Sequence, residues 1–210
     1  MRLVKHTHAT VTLHGEDGGT LLIDPGSFTA NAAELLAQAD AVLVTHDHPD
    51  HLDADAVTAE LGRRPDLPVY VPASVVPSLE GTRPVGHGDT IEAAGFTVRA
   101  FGKEHAEIHA TVPTPENVAF FTAGVYHPGD SYLVPEEIVG SVELALVPSS
   151  GPWSKTGEAA DFVLGLQPTR AIQLHDLLLS EQGKGGFTSF LQRITGLEVP
   201  ALADGESVEL

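Results

Sequence analysis

Thr45-His46-Asp47-His48-Pro49-Asp50-His51 follows directly on the apolar run Ala41-Val42-Leu43-Val44. The run is short and uninterrupted, as a buried strand should be, so Thr45 and His46 stand at a strand end. Four potential metal donors then occur at positions 46, 48, 50 and 51. Alternate residues of an extended segment share a face, so His46 and His48 can grip one ion. The turn into the next helix can bring Asp50 and His51 towards a second. A packed core has no use for such a cluster, and the segment reads as a site.

Outward from it, Val11–His14 and Thr20–Asp24 flank the polar, glycine-rich Gly15-Glu16-Asp17-Gly18-Gly19, which predicts a β-hairpin. Ala32–Ala39 is rich in helix formers, and Leu52 to Leu61 reads as a helix stopped by Gly62. Further strands are expected at 69–71, 96–101, 118–123, 143–147, 171–174 and 207–209, with helices near 157–166 and 187–194. His127-Pro128-Gly129-Asp130 reads as a loop, and His105 and His175 fall just beyond strands. Two clusters of strands with helices after each predict four layers in the order helix, sheet, sheet, helix. The polar candidates sit past strand ends, where a rigid scaffold can aim them.

With 210 residues the chain is expected to be one domain, 1–210, large enough to build a core without disulfides or a structural metal. Lys and Arg number 11 against 29 Asp and Glu, a formal charge of −18, which repels phosphate backbones and makes nucleic acid an unexpected partner. The absence of cysteine excludes disulfides, thiolate nucleophiles and every sulfur-ligated zinc site, leaving His, Asp and Glu as donors. No apolar run suits a membrane span and no secretory signal is visible at Met1–His8, so membrane association is not expected and a cytoplasmic location is.

His46-x-His48-x-Asp50-His51, preceded by the hairpin and by Leu22-Ile23-Asp24-Pro25, resembles the signature of the metallo-β-lactamase fold hydrolases over essentially the whole chain. A later His, a Gly-Asp and a final His complete that signature, and His105, Gly129-Asp130 and His175 match them in order. His8-Ala9-Thr10 and Lys103-Glu104-His105 are most similar to the small branch that includes ascorbate-6-phosphate lactonase.

The resemblance implies the four-layer αβ/βα sandwich and a binuclear hydrolase with two divalent transition-metal ions. Zinc is the first expectation, with manganese and iron also suited to the donors. His46, His48 and His105 would hold one ion and Asp50, His51 and His175 the other. Asp130 would bridge them, and Asp50 is counted as catalytic too. A hydroxide shared by two metals would attack a small ester, lactone or phosphodiester-like substrate. A nucleic-acid phosphodiesterase and a non-hydrolytic metal-binding regulator of the same fold are the alternatives. Antibiotic hydrolysis is not expected, because such members use a cysteine ligand or lack the bridging aspartate.

Among the remaining residues, His8, His109, His127 and Trp153 are candidates for contact with substrate, each set against a structural role. Asp24 and Asp47 are placed behind the ligands, holding imidazole N–H groups. Lys155 and Lys184 are the cations considered for a substrate anion, and His6, His14 and His87 are assigned structural or solvent-facing roles.

Overall fold

The computed structural model describes residues 1–210 and arranges them as two facing sheets with helices on the outer faces. Strands β1 (Arg2–Lys5), β2 (Val11–His14) and β3 (Thr20–Ile23) run as an antiparallel meander. Helices α1 (Ala32–Gln38) and α2 (Ala54–Arg63) then return the chain. This lets β4 (Ala41–Leu43), β5 (Val69–Val71) and β6 (Arg83–Pro84) add in parallel beyond β3.

The second half repeats this plan. Antiparallel β7 (Thr90–Ala93), β8 (Phe96–Phe101), β9 (Ala119–Thr122) and β10 (Val125–His127) are followed by parallel β11 (Leu144–Pro148) and β12 (Arg170–Leu174) around α3 (Thr156–Leu166). After α4 (Glu181–Thr195), β13 (Ser207–Glu209) crosses back to pair with β1. The sheet orders are β13-β1-β2-β3-β4-β5-β6 and β12-β11-β10-β9-β8-β7.

Side-chain alternation divides the core into three layers. In β4, Ala41 and Leu43 face the opposite sheet while Val42 faces the helices. In β11, Leu144 and Leu146 face across and Ala145 and Val147 face α3. Strands covered on both faces need apolar residues at every position, which is why both segments are continuous apolar runs. The expected helix–sheet–sheet–helix order is thus present.

The structure departs from the sequence reading at several element ends. Helix α2 runs through Gly62 to Arg63, and it starts at Ala54 because the Asp53 side chain caps it, accepting from the Ala56 N–H at 3.0 Å. Helix α4 begins at Glu181, ahead of the expected 187. Ser180 caps it, accepting from the Gly183 N–H at 3.1 Å, and tertiary packing overrides the poor propensity of Gly183, Gly185 and Gly186. Strand β10 forms where a loop is expected after residue 123, so the loop that carries Asp130 begins only after His127.

Every chemically interesting segment emerges at one edge of the sandwich. Asp24 follows β3, His46 follows β4, and His105 lies beyond β8. Asp130 follows β10, Trp153 lies beyond β11, and His175 follows β12; His8 sits in the turn entering β2. The rigid sheets therefore aim loops from both halves at one point. Gly129 shows how tight this edge is: its φ is +61°, and a Cβ there would lie 2.2 Å from Asn117 Oδ1.

Candidate metal centre

The seven residues picked out by the motif and its distant partners converge. Donor atoms of His46, His48, His105 and Asp130 lie within 4.8 Å of one another, and so do those of His51, Asp130 and His175. Asp130 belongs to both groups, with Oδ2 3.2 Å from His105 Nε2 and from His175 Nε2, and Oδ1 3.0 Å from His51 Nε2. Asp50 Oδ2 lies 3.2 Å from His175 Nε2 and 3.9 Å from His51 Nε2.

Hydrogen bonds behind the rings decide which nitrogen faces the centre. Asp24, fully buried after β3, accepts from the Thr45 N–H at 2.7 Å, from the Thr45 hydroxyl at 2.8 Å and from His51 Nδ1–H at 2.7 Å. The Thr45 hydroxyl has spent its proton on Asp24, so its oxygen accepts from His46 Nδ1–H at 2.9 Å. His105 Nδ1–H donates to the Ala106 carbonyl at 2.5 Å. In each ring the Nε2 lone pair is left facing inward. Asp24 and Thr45 together orient two histidines; Asp24 was anticipated in that role, whereas Thr45 was not.

His8 forms a third group with Asp50 and His175. Its Nδ1 faces the Leu177 N–H at 3.4 Å, which leaves the proton on Nε2 to donate to Asp50 Oδ2 at 3.1 Å. The ring packs against that of His175, centroids 3.8 Å apart and tilted at 48°, and is covered by Phe28, so it steadies Asp50 from behind. His127 is spent on both sides, donating to the Ala9 carbonyl at 3.0 Å and accepting from the Gly129 N–H at 3.1 Å. His109 lies on the surface with Nδ1 2.8 Å from the Thr111 hydroxyl. Trp153 combines the two roles weighed for it: it is buried, lines the cleft, and donates its indole N–H to Asp130 Oδ2 at 3.0 Å.

Beneath His175 lies a buried ion pair absent from the sequence reading. Lys5 and Asp176 are each 1% exposed, with Nζ 2.8 Å from Oδ1, and Lys184 Nζ reaches the other oxygen at 3.0 Å. Lys184 is therefore occupied away from the cleft, and Lys155 is paired with Glu158 at 2.7 Å. Asp47 lies exposed on the outside of the motif.

Charge at the centre is strongly biased. Burial pushes the Asp130 and Asp50 carboxyls up, but His51, with the His105 and His175 rings each 3.2 Å away, holds Asp130 far below the usual carboxylate range. The His175 ring 3.2 Å away and the hydrogen bond from His8 do the same for Asp50. Burial lowers His46 well below an ordinary imidazole, whereas for His51 the nearby Asp130 and Asp24 outweigh burial and raise it. His8, Asp24 and His175 hold left-handed backbone angles, φ 61°, 53° and 58°, a clustering of strain typical of functional edges.

The chain matches the model of the beta-lactamase superfamily domain over residues 2–175, from β1 to the last histidine of the centre. It is 32% identical to protein Rv0786c of Mycobacterium tuberculosis, covering 99% of both chains. It is 29% identical to a UPF0173 metal-dependent hydrolase of Methanoregula boonei, covering 100% of this chain and 98% of that one. The metallo hydrolase Igni18 of Ignicoccus hospitalis superposes with a TM-score of 0.73 at 19% identity, covering 99% and 97% of the two chains, which establishes the shared fold. The chain belongs to the beta-lactamase superfamily, as a metal-dependent hydrolase of the metallo-β-lactamase fold.

Proposed function

We propose that the protein is a binuclear hydrolase of a small molecule carrying an ester, lactone or phosphodiester-like bond. The observation that carries this reading is a set of buried polar atoms without hydrogen-bond partners, His46 Nε2, His51 Nε2, His175 Nε2 and Asp130 Oδ1, with the three ring nitrogens gathered 3.0–3.9 Å from the Asp130 carboxylate. Unpaired buried polar atoms are costly, and neutral imidazole and carboxylate donors fit divalent transition ions, zinc first and manganese or iron next.

His46, His48 and His105 would hold one ion, Asp50, His51 and His175 the other, with Asp130 shared. Two such ions supply Lewis acidity and make water a nucleophile near neutral pH. The chain's own residues do the positioning. Asp24 and Thr45 fix the orientation of His46 and His51, His8 steadies Asp50, and Trp153 holds the shared carboxylate while walling off water on one side.

Elemental analysis after reconstitution tests the assignment, with about two transition-metal ions per chain expected; a ceiling of one ion refutes the binuclear reading. A turnover panel of lactones, aryl esters and bis-phosphodiesters tests the reaction. His105→Ala should lower metal content, while His109→Ala, altered on the surface, should leave it intact and at most slow turnover. The reverse pattern in metal stoichiometry would show that the wrong histidine of this loop has been chosen.

A further inference from the structure

The cleft over the centre has a volume of about 330 Å³, and its walls divide into two kinds. Its floor is made of candidate ligands. Its sides and mouth are Phe28, Pro49, Ile108, Pro152, Trp153 and Leu178, all apolar in contact surface. Phe28 is 42% exposed and Leu178 is 65% exposed, so water touches two large hydrophobic side chains that line one opening. Apolar side chains gathered round a concave, polar-floored site are a binding surface waiting for an apolar group.

What the cleft lacks decides the charge of its occupant. None of the 11 Lys and Arg residues lines it. Lys155 faces the adjoining depression beyond Trp153, where Glu107 and Glu158 outnumber it, and Lys184 is held by Asp176 and Glu181. A phosphorylated substrate needs Arg, Lys or a helix N-terminus for the phosphate that is not being cleaved. No Lys or Arg is among the residues that line this opening, and the formal charge of −18 adds repulsion.

Resting on the hydrolase reading above, we infer that the substrate is a neutral carboxylic ester or lactone with an aryl or medium-chain alkyl group, and that Phe28 and Leu178 are specificity-determining residues. Hydrolysis adds water across the acyl C–O bond. The acyl carbon gains the hydroxyl oxygen, the alkyl or ring oxygen leaves with a proton, and the new acid ionises.

The inference has a direct test, because Trp153 is the only tryptophan and stands in the cleft wall. A series of 5-alkyl-2-pyrrolidinones, neutral lactams shaped like lactones, is titrated into the metal-reconstituted protein while tryptophan emission is followed. Affinity should rise about fourfold per methylene from methyl to hexyl, the ratio expected for burying one CH₂. In Phe28→Ser and Leu178→Ser, both changes at exposed positions, the ratio should fall towards one with metal content unchanged. In parallel, 4-nitrophenyl hexanoate should be turned over with a kcat/KM at least tenfold above 4-nitrophenyl phosphate. A flat chain-length series, an unchanged slope in both variants, or preference for the phosphate would overturn the inference. These failures are separable from that of the hydrolase reading: protein that takes up no metal but still binds lactams with a chain-length slope refutes the latter alone.

Discussion

Asp130→Ala should cost roughly 10³-fold or more in kcat/KM and lower metal content at both positions, because Lewis-acid stabilisation is worth several kcal/mol. No other carboxylate of the centre belongs to both donor groups. Its Oδ2 lies 3.2 Å from His105 and from His175, and its Oδ1 3.0 Å from His51, so its loss opens both positions together. His175→Ala reaches only the second group and should mainly loosen that ion. Asp130→Asn separates shape from charge: it can still accept from Trp153, but its single oxygen cannot serve two ions. Metal stoichiometry with steady-state rates on all three variants decides the matter. Two tightly held ions in Asp130→Ala, with turnover within tenfold of the parent, would remove the shared carboxylate from the account.

The second large effect concerns stability. Lys5→Met should destabilise the fold by about 3–5 kcal/mol, since it leaves the Asp176 carboxylate buried with only Lys184 to offset it. For a chain of this size that is a fall of roughly 6–20 °C in melting temperature. Combining Lys5→Met with Asp176→Leu removes both charges and should recover much of the loss, because desolvation of the pair disappears with them. Lys155→Ala removes an exposed pair with Glu158 and should leave melting unmoved. Thermal denaturation of the four proteins tests the set. A Lys5→Met protein that melts with the parent would mean that the pair contributes nothing to the fold.

The contrast between these two regions shows what could be read from the chain. His46, His48, Asp50 and His51 were legible because their spacing is local and the preceding apolar run places them at a strand end. His105, Asp130 and His175 are scattered, and only the resemblance gathered them. Thr45 escaped notice because a threonine has no chemistry of its own at a metal site; its role appears when Asp24 and His46 are seen on either side of its hydroxyl. Lys5 was invisible as an ion-pair partner because Asp176 is distant in sequence and a lysine near a terminus reads as solvent-facing. Strand β1, which carries it, was missed for a related reason: a four-residue strand ending in Lys5 shows no clear alternation. Strand β10, three residues ending in a histidine, was hidden in the same way.

The distribution of the donors along the chain has a thermodynamic side. His46, His48, Asp50 and His51 come from the half built on β1–β6, while His105, Asp130 and His175 come from the half built on β7–β12. On the assignment proposed above, each ion would take donors from both halves, and neither half alone could complete a site. Free energy gained on capture would then belong to the assembled sandwich and not to the unfolded chain, about 4 kcal/mol when free metal stands at 1,000 times its dissociation constant. Resistance to unfolding would therefore follow the logarithm of the metal supply, so that two identical chains in a replete and a starved environment would have different lifetimes.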